Sequence, residues 1–294
     1  MLKIVSACVA ITLTALPTYS ATLSVQGIVG LSGIDAQTGL ASGGTDNQSI
    51  GTNNASSGAS GAVTANVTGS YGNGTAYASA NLSTGQIKAS VGGSAGTYYT
   101  NILTAPVIGQ ELSVVASSVM SDTFTVSGTG TVRFDLAYDG FWDLSPQPYL
   151  SCCDSFGNPV AGTFSPMWFA FGSLTLGSNG VVAGDQFAFS HSTDPLTGAA
   201  SGVLSISATL IDGFTYGISA ALDVLMNYAS GTVDFANTAT LSYFASPGVT
   251  LTFSDPLFLS VDPNAPAPVP LPAGVFLLGA GLIALGALRR RKQA

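Results

Sequence analysis

The sequence predicts an all-β body, an antiparallel β-sandwich of jelly-roll-like form, between an N-terminal signal peptide and a single C-terminal transmembrane helix. Three observations predict it. Small polar and apolar residues alternate with a period of two over much of residues 62–261, as with Val63, Ala65 and Val67 against Thr64, Asn66 and Thr68. Such alternation sets one row of side chains against a core and the other toward water. The runs are rich in Val, Thr, Phe and Tyr, and Gly, Asn and Ser divide them every ~8 to 15 residues, with few helical periods between.

Residues 1–20 have the parts of a secretory signal: Lys3 as the positive start, an apolar stretch from Ile4 to Leu16, and Thr18 and Ser20 as small residues before a cleavage point. Cys8 closes the lettering of a lipoprotein box but comes too early, with too little apolar chain before it. Residues 21–61 read as one strand, Thr22 to Val29, followed by a low-complexity loop from 31 to 61. That loop is Gly, Ser, Asn and Thr, too poor in apolar area to offset the entropy of ordering it.

The body, 62–261, begins with hairpins: Ala62 to Val67, Thr75 to Leu82 and Gln86 to Val91, with Ser83, Thr84 and Gly85 as a turn. A strand is expected over Glu111–Met120. Asp122–Ser127 and Thr131–Tyr138, joined at Gly128, read as the clearest hairpin in the chain, with Phe124 and Val126 on one face and Val132, Phe134 and Leu136 on the return. Gly184–Gly213 has the same Asp-Xaa-Phe opening and reads as a second such unit. Further strands are expected at Met167–Leu176, Val181–Ser190, Ala200–Leu210, Phe214–Tyr228, Gly231–Tyr243 and Val249–Phe253. Around Ala220, Ala221 and Leu222 a helix competes, but the β-branched and aromatic flanks favour a strand.

Charge bounds the function. Only 7% of residues are charged, against a usual ~25%. Between the two terminal segments Lys88 and Arg133 are the only cations, and all 15 acids lie there, leaving the body at −13. That argues against nucleic acid and anionic membrane surfaces as partners of the body. Fourteen of the acids are Asp, which favours turns, so the acids are expected between strands.

Few residues suggest chemistry. Cys152 and Cys153 are adjacent in a Pro- and Ser-rich loop. Outside the cytoplasm they can form a vicinal disulfide that clips the loop, pair between molecules, or serve a redox or metal role. Asp139, Asp143, Asp154 and Asn158 flank that loop and offer oxygens to Ca²⁺, but without EF-hand or repeat spacing, so solvated turn acids are the simpler reading. His191 is the sole histidine, and Gly92, Ser94 and Gly96 spell a nucleophile elbow in a β region where no strand-to-helix turn is expected. Trp142, Trp168 and five nearby aromatics concentrate between 141 and 171; they form either a sugar-stacking face or, more commonly, core. Sequons stand at Asn47, Asn54, Asn66, Asn73 and Asn81. No zinc, phosphate-loop or dinucleotide pattern occurs, and no cofactor, metal or catalytic residue is assigned.

The tail is the most specific stretch. Residues 262–270 are a Pro-rich spacer, extended and semi-rigid. Within 269–294, Leu271 to Leu288 has no polar side chain, and Arg289, Arg290, Arg291 and Lys292 follow at once. As a helix the run is about 27 Å long, near the ~30 Å apolar thickness of a bilayer. Basic flanks stay on the cytoplasmic side, which puts the body outside.

Val269, Pro270, Leu271, Pro272 and Ala273, the short span and the basic end together resemble the PEP-CTERM class of bacterial sorting tails, in the variant named VPLPA-CTERM. Ala80 to Ser90 more loosely resembles the poorly characterised β-rich bodies that often precede such tails. The resemblance implies processing near the Pro motif by an exosortase, a membrane protease. The body is then released or attached to the surface, often in bacteria that make exopolysaccharide. The expectation is a non-enzymatic exported surface or matrix protein, held in the envelope before processing and at the cell surface or outside after it. The alternative is a carbohydrate-binding module on the same sandwich.

Overall fold

A computed structural model of the chain describes residues 21–34, 41–52, 60–69, 72–96, 98–100, 111–151, 160–178, 181–190, 195–236 and 239–260. The chain divides between Val261 and Asp262, and every described residue belongs to the first unit. The signal at 1–20, the spacer, the sorting motif at Val269–Ala273, the span 271–288, the basic residues 289–292, Cys152, Cys153, Asp154, Asn158, His191 and Asn54 lie outside the described residues. Among those described there is no helix, hence none long and apolar enough to cross a membrane.

The described chain is all-β, and its two large sheets are antiparallel. In order the strands are β1 (Thr22–Ile34), β2 (Ala41–Thr52), β3 (Ser60–Gly69), β4 (Gly72–Asn81), β5 (Gln86–Ala95), β6 (Tyr98–Thr100), β7 (Glu111–Ser127), β8 (Gly130–Pro146) and β9 (Pro148–Ser151). There follow β10 (Val160–Thr163), β11 (Met167–Gly177), β12 (Val181–Ser190), β13 (Thr197–Leu210), β14 (Thr215–Asn227), β15 (Ala229–Asp234), β16 (Ala239–Ala245) and β17 (Thr250–Phe253). One seven-stranded sheet runs β12-β11-β14-β7-β1-β2, with β17 also on β7; the other runs β13-β8-β15-β5-β4-β3, with β16 on β5 and β8. A small third sheet, β10-β9-β6, contains a parallel pair, β6 with β9.

The two large sheets face each other across one core. The alternating positions Leu112, Val114, Ala116, Met120, Phe124 and Val126 of β7 are buried, as are Val132, Phe134, Leu136, Trp142 and Leu144 of β8. Phe124 and Phe134 meet across the gap with ring centroids 5.5 Å apart. Where β4 crosses β1 and β7, only Gly74 fits, since a Cβ there would run into Val29 and Leu112. The period-two pattern of the sequence is thus the inside and outside of two pleated sheets.

Several connections differ from the sequence reading. β7 and β8 do not pair with each other. β7 pairs with β1, β14 and β17, and β8 with β13, β15 and β16. The link at Gly128 and Thr129 is an arch from one sheet to the other rather than a hairpin. The expected faces are right, but they look at each other across the core instead of lying side by side. Gly128 takes φ +83° there, and a Cβ would collide with the carbonyl of Gly248. The Gly184–Gly213 unit is likewise split, with β12 in one sheet and β13 in the other.

The low-complexity reading of 31–61 also gives way. β1 extends to Ile34, and β2 pairs with it from Leu23↔Thr52 to Ile34↔Ala41. An edge strand is held by its backbone ladder, so Gly, Ser and Thr suffice without a large apolar contribution. The single strand expected over Gly231–Tyr243 is two, because Asp234 accepts the N–H of Ala236 at 2.7 Å and turns the chain while Phe235 enters the core. β14 is a strand, as the flanks favoured. It is buried on both faces from Tyr216 to Met226 except at Ser219, which is why its apolar run fitted a helix almost as well.

Candidate functional site

The residues singled out for chemistry are distributed rather than assembled. Asp139 and Asp143 are exposed on the outer face of β8, opposite Ser201 and Thr197 of β13. Four residues of strand separate them by roughly 13 Å, too far to share one cation. Among the described residues no three His, Cys, Asp or Glu side chains come together. Ser94 lies within β5, exposed and opposite Asn73, not on a strand-to-helix turn.

Trp142 and Trp168 are buried at 4% and 2% exposure, so neither offers a ring to a sugar. Their rings lie 4.8 Å apart, and the Trp142 Nε1–H donates to the carbonyl of Pro195 at 2.8 Å, tying the start of β13 to the core. Phe187, Phe189 and Phe235 extend the same aromatic cluster. Of the sequons, Asn66 and Asn73 are exposed, while Asn81 accepts the N–H groups of Ser83 and Thr84 and caps the β4–β5 turn.

The acids are not mainly turn residues. Asp46, Asp122, Asp135, Asp139, Asp143, Asp185, Asp223 and Asp234 stand in strands; Asp212 and Asp255 are in turns. Two of the strand acids are deeply buried. Asp122 points into the core from β7, where it accepts the Ser254 hydroxyl, the Asp255 N–H at 3.0 Å and the Thr123 N–H at 2.7 Å. Burial raises its carboxyl above the ordinary range, those hydrogen bonds oppose the rise, and the charge of Asp255 adds to it. Asp255 in turn accepts the N–H of Leu257 at 2.9 Å. The pair folds the last described turn, Ser254 to Ser260, against the body.

Asp223 sits on β14 between Ser117 of β7 and Phe171 of β11. Burial raises its carboxyl as well, and a hydrogen bond from Ser117 partly opposes that. An aspartate inside the run Ile218–Met226 was visible in the sequence as a break in apolar character; Asp122 had no such signal.

A third acid bridges the sheets at their edges. Asp185 of β12 accepts the backbone N–H of Ser205 of β13 at 2.8 Å. The Ser205 hydroxyl donates to Asp135 at 2.5 Å, and Asp135 is paired with Arg133 at 2.9 Å. Burial raises the Tyr138 hydroxyl pKa, with the charge of Asp185 adding to it.

No protein-family model, curated protein or solved structure matches the chain. The outer face of the β13-to-β3 sheet is therefore described by its chemistry alone. It bears rows of Ser, Thr, Asn and Asp: Thr64, Asn66 and Thr68 on β3, Asp135, Asp139 and Asp143 on β8, and Ser201, Ser205 and Ser207 on β13. Its position in the strands, and not any motif, gives that face its character.

Proposed function

We propose that the chain is a non-enzymatic exported protein of the cell surface or extracellular matrix. Residues 1–20 direct export. The span 271–288, with Arg289, Arg290, Arg291 and Lys292 behind it, holds the body outside the membrane. An exosortase-type membrane protease processes the tail near Val269–Ala273, after which the body is surface-attached or released, in association with exopolysaccharide. The observation that carries this reading is the order of three parts in the tail: a Val-Pro-Leu-Pro-Ala motif, a minimal apolar span and a basic terminus. A plain anchor requires the last two and not the first.

The body suits such a role. By this reading it is a jelly-roll-like β-sandwich, which its two large antiparallel sheets support, and it presents neutral or acidic hydroxyl- and amide-rich faces. A carbohydrate-binding function, the second reading, would fall to the exposed Ser, Thr, Asn and Asp rows, since both tryptophans are in the core. The test is a double substitution, Pro270→Ala with Pro272→Ala, in cells that process such tails. Retention of the full-length chain in the membrane fraction supports the reading. Unchanged release of the body would overturn the role given to the motif.

A further inference from the structure

Strand β13 is an uncharged edge that one carboxylate, Asp185 of β12, occupies at Ser205. It is 14 residues long with no charge and no proline, and among the described residues it pairs on one side only, with β8. Natural sheets usually guard such an edge with lysine, proline or a bulge. This body has two cations in all, Lys88 and Arg133, and neither is on β13. Of the other strands that end the two large sheets, β3 is uncharged but only 10 residues long, and β2 and β12 contain Asp46 and Asp185.

The geometry fixes which backbone groups of β13 are open. Ser205 gives its N–H to Asp185 rather than to β8, so its backbone groups point away from β8. In an antiparallel strand that holds for every second residue: Thr197, Ala199, Ser201, Val203, Ser205, Ser207 and Thr209. The side chains of this row are all exposed, and Val203, at its centre, is 57% exposed.

The row reads nearly the same in both directions. Turned about Val203, Thr197 meets Thr209, Ala199 meets Ser207, Ser201 meets Ser205, and Val203 meets itself. Each of these is also a pair of residues whose N–H and C=O both point outward, as a hydrogen-bonded antiparallel ladder requires. We propose that β13 pairs antiparallel with β13 of a second copy, about a two-fold axis at Val203, joining two seven-stranded sheets into one continuous sheet. No like charges oppose each other in that seam. Asp185 regulates it: its carboxylate holds the Ser205 N–H that would otherwise donate to Ser201 of the partner subunit.

The test uses the full chain in detergent with Val203→Cys. The hydrogen-bonded pair at the axis has Cα atoms about 5.5 Å apart, within disulfide reach. Under mild oxidation this variant should form a disulfide-linked dimer at least about tenfold faster than Thr209→Cys, whose two copies lie roughly 40 Å apart in the seam. The parent chain sets the background from its own cysteines. Val203→Lys, at an exposed site, should abolish the dimer seen by sedimentation, and Asp185→Ala should tighten it about 25-fold, one hydrogen bond's worth from each of the two copies. Equal cross-linking at Val203 and Thr209, or sedimentation unchanged by Val203→Lys, overturns the proposal.

Discussion

The carboxylate of Asp122 on β7 accepts the backbone N–H of Asp255 at 3.0 Å and the hydroxyl of Ser254 beside it. One core-facing acid thereby fastens the final turn of the body. Asp122→Ala leaves those buried donors without their acceptor, at a cost of about 2–3 kcal/mol. For a body of this size that lowers the melting temperature by roughly 5–10 °C. Thermal unfolding by circular dichroism checks the shift. A loss below about 2 °C would mean that the turn is held by Phe258 and its apolar contacts instead.

Acidity should stabilise this body over a defined range. Burial raises the carboxyls of Asp122 and Asp223 above the ordinary value of 3.8. A folded-state pKa above the unfolded one means that the folded form binds the proton first. Stability from these two groups is therefore complete below about 3.8 and is lost as pH rises through their raised values. The melting temperature should climb as pH falls from neutral into that window. Asp223→Asn should raise it at neutral pH and flatten its pH dependence, which scanning calorimetry at a series of pH values reads directly.

Two glycines with the same backbone sign should respond differently to alanine. Gly128 and Gly213 have φ of +83° and +76°. Around Gly213 an added Cβ meets nothing, so Gly213→Ala costs only the conformational strain, about 1–2 kcal/mol. At Gly128 the Cβ meets the Gly248 carbonyl as well, and the arch between the sheets must shift. Gly128→Ala is expected to cost at least about 2 kcal/mol more than Gly213→Ala in denaturant unfolding.

The strands were readable because their side chains alternate, and a period of two survives any arrangement of the sheets. Which strand lies beside which was not readable. β7 and β8 have apolar rows and a short Gly-containing link, and those features suit a hairpin and an arch equally. The choice is made by rows far away in sequence: β1 and β14 take the sides of β7, and β13 and β15 those of β8. β2 has no period-two apolar signature because an edge ladder needs none. The acids were misplaced because turn preference is a local tendency, whereas Asp122 and Asp185 are held by partners 133 and 20 residues away. The two tryptophans illustrate the reverse case, where the commoner fate of an aromatic, burial, is the one observed.

The proposed export and tail processing are tested most directly by the intact mass of the protein recovered from the cell surface or medium. The account predicts a chain that begins at Ala21 and ends before the basic terminus, without Arg289, Arg290, Arg291 and Lys292. A cytosolic species of full mass, with Met1 and Lys3 in place, would contradict it.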